Sequence, residues 1–178
     1  MNNGRYFIDP NGGMGTDAFE VFCNFTSGGQ SCIEPRQQTI LYRPSLSGGN
    51  LSTSQPSLLS QTPFGHEIEY HSRQSQLNAL QVHSVAVTQN VEIRCPASSV
   101  MSTFNWRWNV HLMSGAHQSS TVSLGANECM NSDDYYSTTL TSSAGSGQLP
   151  VLDLSATGAS GGSSVDSLHL RLGSVCFI

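Results

Sequence analysis

The stretch from Tyr6 to Cys32 constrains this chain more than any other. It opens with an apolar triplet, Tyr6-Phe7-Ile8. A turn crowded with oxygen donors and glycine follows, carrying Asp9, Asn11, Gly12, Gly13, Gly15 and Asp17. Then come Ala18, Phe19, Val21 and Phe22, an alternating run that ends at Cys23, and a second turn through Ser27-Gly28-Gly29 leads to Cys32. Hard cations such as Ca2+ take six to eight oxygens at fixed distance. Asp9 and Asp17 offer carboxylates and Asn11 a neutral amide oxygen, while the glycines let the chain curl so that carbonyls point inward. The spacing is not that of an EF-hand, which needs ligands at alternating positions and a terminal Glu. The plain alternative is an Asp/Asn/Gly turn between two strands.

Composition narrows the partners. The 178 residues fit one domain, long enough to bury a core. Only 11% of residues are charged, the seven basic ones are all arginine, and the formal net charge is −5. No basic patch for nucleic acid or an anionic membrane is evident, and no apolar run is long enough to span a bilayer. Five cysteines is an odd count; in a secreted chain it points to an intermolecular bridge, a free thiol or an absent partner. Five reduced cysteines in a cytosolic protein is the other reading.

Four separated blocks carry a family resemblance. The first reads Tyr6, Ile8, Asp9, Pro10, Asn11, Gly13, Asp17, Ala18, Val21, Cys23 and Cys32. The others are Gln89-Asn90-Val91 through Cys95, Gln148 to Leu154, and the closing Gly173-Ser174-Val175-Cys176-Phe177-Ile178. In order and position they resemble the C-terminal propeptide of fibrillar collagens, the non-collagenous domain that trimerises procollagen. The resemblance covers nearly the whole chain, with a diverged, shortened middle. It implies one α+β, β-rich, disulfide-stapled globular domain over residues 1–178, with a curved sheet and distantly fibrinogen-like. Residues 1–32 would be the calcium-binding base segment and 33–178 the petal-like part.

By the same resemblance, Ca2+ would be held by the side chains of Asp9, Asn11 and Asp17 and the carbonyls of Gly12 and Met14. Cys32 would pair with Cys176 and Cys95 with Cys129. Cys23 would be left unpaired, its family partner lying upstream of this chain. Two departures stand out. Met14 replaces the family cysteine that links chains, and a thioether forms no disulfide. Asn90-Val91-Glu92 is not the glycosylation sequon the family tends to carry there; Asn24 and Asn50 head the sequons found here. The family's upstream stalk, a Gly-X-Y tract and a signal peptide are not seen in these residues, so the sequence reads as a fragment or an incomplete gene product, and it is expected to trimerise less stably.

Along the chain, residues 1–17 read as an entry turn and the cation loop, and 18–25 as a strand. Residues 33–63, with four prolines, read as loop. Phe64–Tyr70 looks like a strand. Leu77, Leu80, Val82, Val85 and Val87 fit a helix or a strand by spacing, and the resemblance favours a helix from about Gln74 and then a strand. Val91, Ile93 and Cys95 alternate. Phe104–Met113 is the clearest strand, with Phe104, Trp106, Trp108 and Val110 on one face; such aromatics serve a core more often than a binding platform. Thr121–Leu124, Tyr136–Leu140, Leu149–Leu154 and Val165–Cys176 read as further strands, and 155–164 as a glycine-serine loop.

Nothing positive points to an enzyme. The six histidines lack zinc spacing with cysteine, and no nucleophile elbow, P-loop or dinucleotide fingerprint occurs. His66 and His71 flank a predicted strand and read as solvated. The leading expectation is an extracellular matrix protein: a secreted domain that selects and registers other collagen chains. The runner-up is a secreted binding module that keeps the fold without a triple helix.

Overall fold

The computed structural model describes residues 1–13, 15–26, 28–42, 58–61, 66–94, 108–113, 119–124, 136–143, 149–158 and 168–178. Ten strands and one α-helix lie among them: β1 (Gly4–Ile8), β2 (Phe19–Asn24), β3 (Gln30–Ile33), β4 (Thr39–Tyr42), α1 (Gln74–His83), β5 (Ala86–Arg94), β6 (Trp108–Met113), β7 (Ser119–Leu124), β8 (Tyr136–Ser143), β9 (Asp153–Gly158) and β10 (Leu168–Phe177). Pairing is antiparallel throughout. The main sheet runs β1-β2-β3-β10-β5-β8 with β4 also on β10, and a smaller sheet runs β7-β6-β9. The chain is a β-rich globular domain, as its alternating patterns imply.

Strand β10 is the hub, because it pairs with β3, β4 and β5. Its Leu170, Leu172, Val175 and Phe177 are buried, as are Val87, Val91 and Ile93 on β5. The two-residue alternation slips between Leu172 and Val175, where the register shifts. Gly173 sits at this bulge, and a Cβ there would stand 3.2 Å from the carbonyl oxygen of Asn90. That close backbone approach is what glycine permits. Helix α1 buries Gln76, Leu77 and Leu80, which turns the ambiguous spacing of Leu77 and Leu80 into one helical face.

Four expectations are corrected. Residues 39–42, inside the stretch read as loop, form β4, with a 3-10 turn at Leu59–Gln61 further on. The partners that extend Thr39–Tyr42 lie in β10, beyond any local signal. Phe64–Tyr70 is not a continuous strand over its described part. Ile68 and Tyr70 are buried and Glu67 and Glu69 exposed, as in a strand, yet the ladder reduces to a bridge from Pro35 to Tyr70. Proline has no N–H to extend it. Residues 155–158 belong to β9 rather than to a glycine-serine loop, held by pairing to β6. Gly4–Ile8, read as part of an entry turn, is strand β1. The side-chain face expected for Phe104–Met113 lies outside the described residues.

A buried polar knot ties the sheet to the segment before β9. The Tyr70 hydroxyl donates to the Val151 carbonyl at 2.8 Å, and Gln89 Nε2 donates to the Tyr70 oxygen at 2.8 Å and to the Gly173 carbonyl at 3.1 Å. The Val151 amide donates to Gln89 Oε1 at 3.1 Å. Burial pushes the Tyr70 phenol well above its ordinary value, and the bond from Gln89 opposes this. A raised folded-state value means that stability is intact below the unfolded tyrosine value near 10 and falls as pH rises past it, by about 1.4 kcal/mol per pH unit. Denaturant unfolding of the native chain is therefore expected to weaken with this slope above about pH 10. The Tyr70→Phe variant is expected to lose about 1–3 kcal/mol at neutral pH and to show a flatter alkaline limb. Identical alkaline limbs would contradict this role for Tyr70.

Candidate metal centre

Ile8 at the end of β1 pairs with Phe19 at the start of β2, so the donor-rich turn is the connection of a β-hairpin. The Gly12 amide donates to the Asp9 carbonyl at 3.3 Å, and Gly12 has φ of 65°, the left-handed region glycine tolerates. Gly15–Asp17 then forms a single 3-10 turn. These bends bring the far end of the loop back, so that Asn11 Nδ2 donates to Asp17 Oδ2 at 3.0 Å.

A third side chain reaches in from α1. Gln76 is 1% exposed, and its Nε2 donates to the Asp17 carbonyl at 3.0 Å and to Asp17 Oδ2 at 2.9 Å. Asp17 Oδ2 therefore receives two donors. Asp17 Oδ1 and Asp9 Oδ1 are buried atoms with no hydrogen-bond partner, and Gln76 Oε1 is another. A buried acceptor without a donor costs about 1–3 kcal/mol, more when charged. Unpartnered carboxylate oxygens in a glycine-rich loop are the kind of donor a hard divalent cation takes. Among the described residues no group of three or more His, Cys, Asp or Glu comes together. The loop's donor set is thus two carboxylates with amide and backbone oxygens. Met14 lies outside the described residues, and Gly12, whose carbonyl completes the expected set, is exposed.

The other expected positions fall as follows. Cys32 and Cys176 form a disulfide across directly paired residues of β3 and β10. Cys23 is a buried free thiol among the described residues. Cys95, Cys129 and Asn50 lie outside them. Asn24 is half-buried, and its Oδ1 accepts from the Thr26 amide at 3.1 Å and the Thr26 hydroxyl at 2.6 Å. His66 and His71 are exposed. Sequence reasoning missed Gln76, 59 residues from Asp17. The one signal for it was an amide within one turn of Leu77 and Leu80, on the face that a helix from Gln74 would bury.

Beside the loop, β1 and β2 present aromatic side chains outward. Phe7 is 75% exposed, and Phe22 and Tyr6 are also exposed. Arg5 lies among them, its guanidinium 2.8 Å from Glu20 and 3.7 Å from Glu34. Among the described residues no helix is long and apolar enough to cross a membrane.

The fold and loop define a disulfide-stapled, β-rich domain with an oxygen-lined turn at one end of its main sheet. The family model of the fibrillar collagen C-terminal domain matches residues 1–177, and the chain belongs to that family. The human collagen alpha-1(XXIV) chain is 54% identical over 41 residues, 23% of this chain and 2% of that protein. A collagen alpha-1(XXVII) protein of Danio rerio is 57% identical over 35 residues, 20% of this chain and 2% of that one. The matched stretches thus span about 2% of the length of these curated relatives.

Proposed function

We propose that this chain is the assembly domain of a fibrillar collagen. It would act in the extracellular matrix after secretion and bring three collagen chains into register through a calcium-ordered loop. Family membership supports a collagen-related, structural role rather than catalysis. The observation that carries the calcium reading is the pair of buried, unpartnered oxygens, Asp9 Oδ1 and Asp17 Oδ1. The side chains of Asp9, Asn11 and Asp17 would hold the ion, with the carbonyls of Gly12 and Met14. Bound calcium would supply the positive charge that lets two half-buried carboxylates lie in one loop.

The chain's own groups then do the work. Asp17 closes the turn against Asn11, and the hairpin fixes the exposed faces of β1 and β2. Exposed Phe7 and Phe22, on the same face of the hairpin, give that edge apolar area to bury against a neighbour. A three-fold, head-to-tail contact follows from cyclic symmetry. Ion binding and assembly are coupled because each favours the same ordered loop. Met14 favours non-covalent association, and it also suits the alternative of a secreted binding module without a triple helix.

Solution mass separates the two. Light scattering on the purified chain is expected to give three times the 19.1 kDa chain mass with calcium and a lower mass with chelator. A mass of 19.1 kDa in both would remove the assembly role and leave the binding module.

A further inference from the structure

We infer that Gln76 is a positioning residue of the cation loop, and that through it calcium binding is coupled to helix α1. The inference rests on the calcium reading of the loop and adds a residue to it from outside the hairpin. Gln76 lies in the first turn of α1 beside the core residues Leu77 and Leu80, and is itself 1% exposed. Both of its amide hydrogens go to one residue, to the carbonyl and to Oδ2 of Asp17 at 3.0 and 2.9 Å. Asn11 adds a third bond to this group, again at Oδ2.

The outcome is an asymmetric carboxylate. Oδ2 is saturated by two N–H donors, while Oδ1 is buried and has none. Only the free oxygen can offer a lone pair unshared with a donor, so Gln76 and Asn11 together fix which oxygen faces the ion. The bond to the Asp17 carbonyl also pins the backbone at the last residue of the 3-10 turn. The glutamine is kept in the core although its own Oε1 has no partner. An apolar residue would fill that space without leaving an acceptor unsatisfied, so packing alone does not account for an amide here. Groups that orient a metal-binding side chain typically matter by 10–100-fold in affinity.

The test is calorimetric titration with calcium ions of the unsubstituted chain and of Gln76→Leu, which keeps bulk and removes both donors. The dissociation constant is expected to rise roughly 10–100-fold. Hydrogen exchange supplies a second readout. In the unsubstituted chain, calcium is expected to slow exchange of the amides in Gln74–His83, and in Gln76→Leu this response is lost. A purely structural glutamine predicts a lower melting midpoint in chelator with the calcium affinity and the α1 response unchanged; that result overturns the inference. Should Gln76→Leu fail to fold, Gln76→Met serves. It too removes both N–H donors to Asp17, so the variant is expected to gain less in melting midpoint on adding calcium than the unsubstituted chain does, and an equal gain overturns the inference. Absence of calcium binding by the unsubstituted chain overturns the metal reading and this inference together. Normal binding by the unsubstituted chain and by both variants overturns this inference alone.

Discussion

Replacing Cys32 and Cys176 together by alanine is expected to lower the midpoint of thermal unfolding by roughly 10–20 °C. The bridge spans 144 positions of a 178-residue chain, so it closes almost the whole polypeptide into one loop. Chain-entropy reasoning gives a loop of that size about 4–5 kcal/mol of stabilisation, by restricting the unfolded ensemble. Each kilocalorie moves the midpoint by about 2–4 °C in a domain of this length. The position adds to the effect. Cys176 lies in β10, next to the bulge and between the core residues Val175 and Phe177, and Cys32 opposes it in β3, which joins the hairpin to the hub. Losing the bridge leaves backbone pairing and the packing of Val21, Cys23 and Ile33 in the shared core to hold the hairpin and β3 on β10. Scanning calorimetry of the double variant checks this. A midpoint within about 2 °C of the unsubstituted chain, far below the expected shift, would contradict it.

The second large effect concerns Asp17→Ala. Calcium at a hundredfold excess over its dissociation constant stabilises a binding-competent chain by about 2.7 kcal/mol. The unsubstituted chain is therefore expected to melt roughly 5–10 °C higher in calcium than in chelator, and Asp17→Ala to show no such gain. Asp17 provides the buried free oxygen Oδ1 and the carboxylate on which Asn11 and Gln76 converge, so its removal takes away both a ligand and the point that closes the loop. In chelator the variant also removes Oδ1, a buried acceptor with no donor, which offsets part of the loss of the bonds from Asn11 and Gln76. A retained calcium shift in Asp17→Ala would place any ion elsewhere.

Much of this site could be read from the residues themselves. Asp9, Asn11 and Asp17 lie within nine positions, so the turn that brings them together is local, and glycines announced it. Alternation made β2, β5 and much of β10 legible, since Val21 and Cys23, Val91 and Ile93, and Leu170 and Leu172 are buried residues two apart, a pattern the bulge before Val175 then interrupts. The failures share a cause. Thr39–Tyr42 and 155–158 carry weak strand signals and become strands because a distant partner, β10 or β6, satisfies their backbone. Gln76 escaped for the same reason: its role exists only after α1 packs against the hairpin. The pairing of Cys32 with Cys176 came from resemblance, because five cysteines leave the connectivity open.

Whether the loop holds calcium is decided by calorimetric titration of the ion into the unsubstituted chain, stripped of metal beforehand. Binding of one ion per chain is expected, with the signal abolished by Asp9→Ala as well as by Asp17→Ala. No heat and no saturation with the unsubstituted chain, or the same isotherm in all three proteins, would contradict a metal site at this loop.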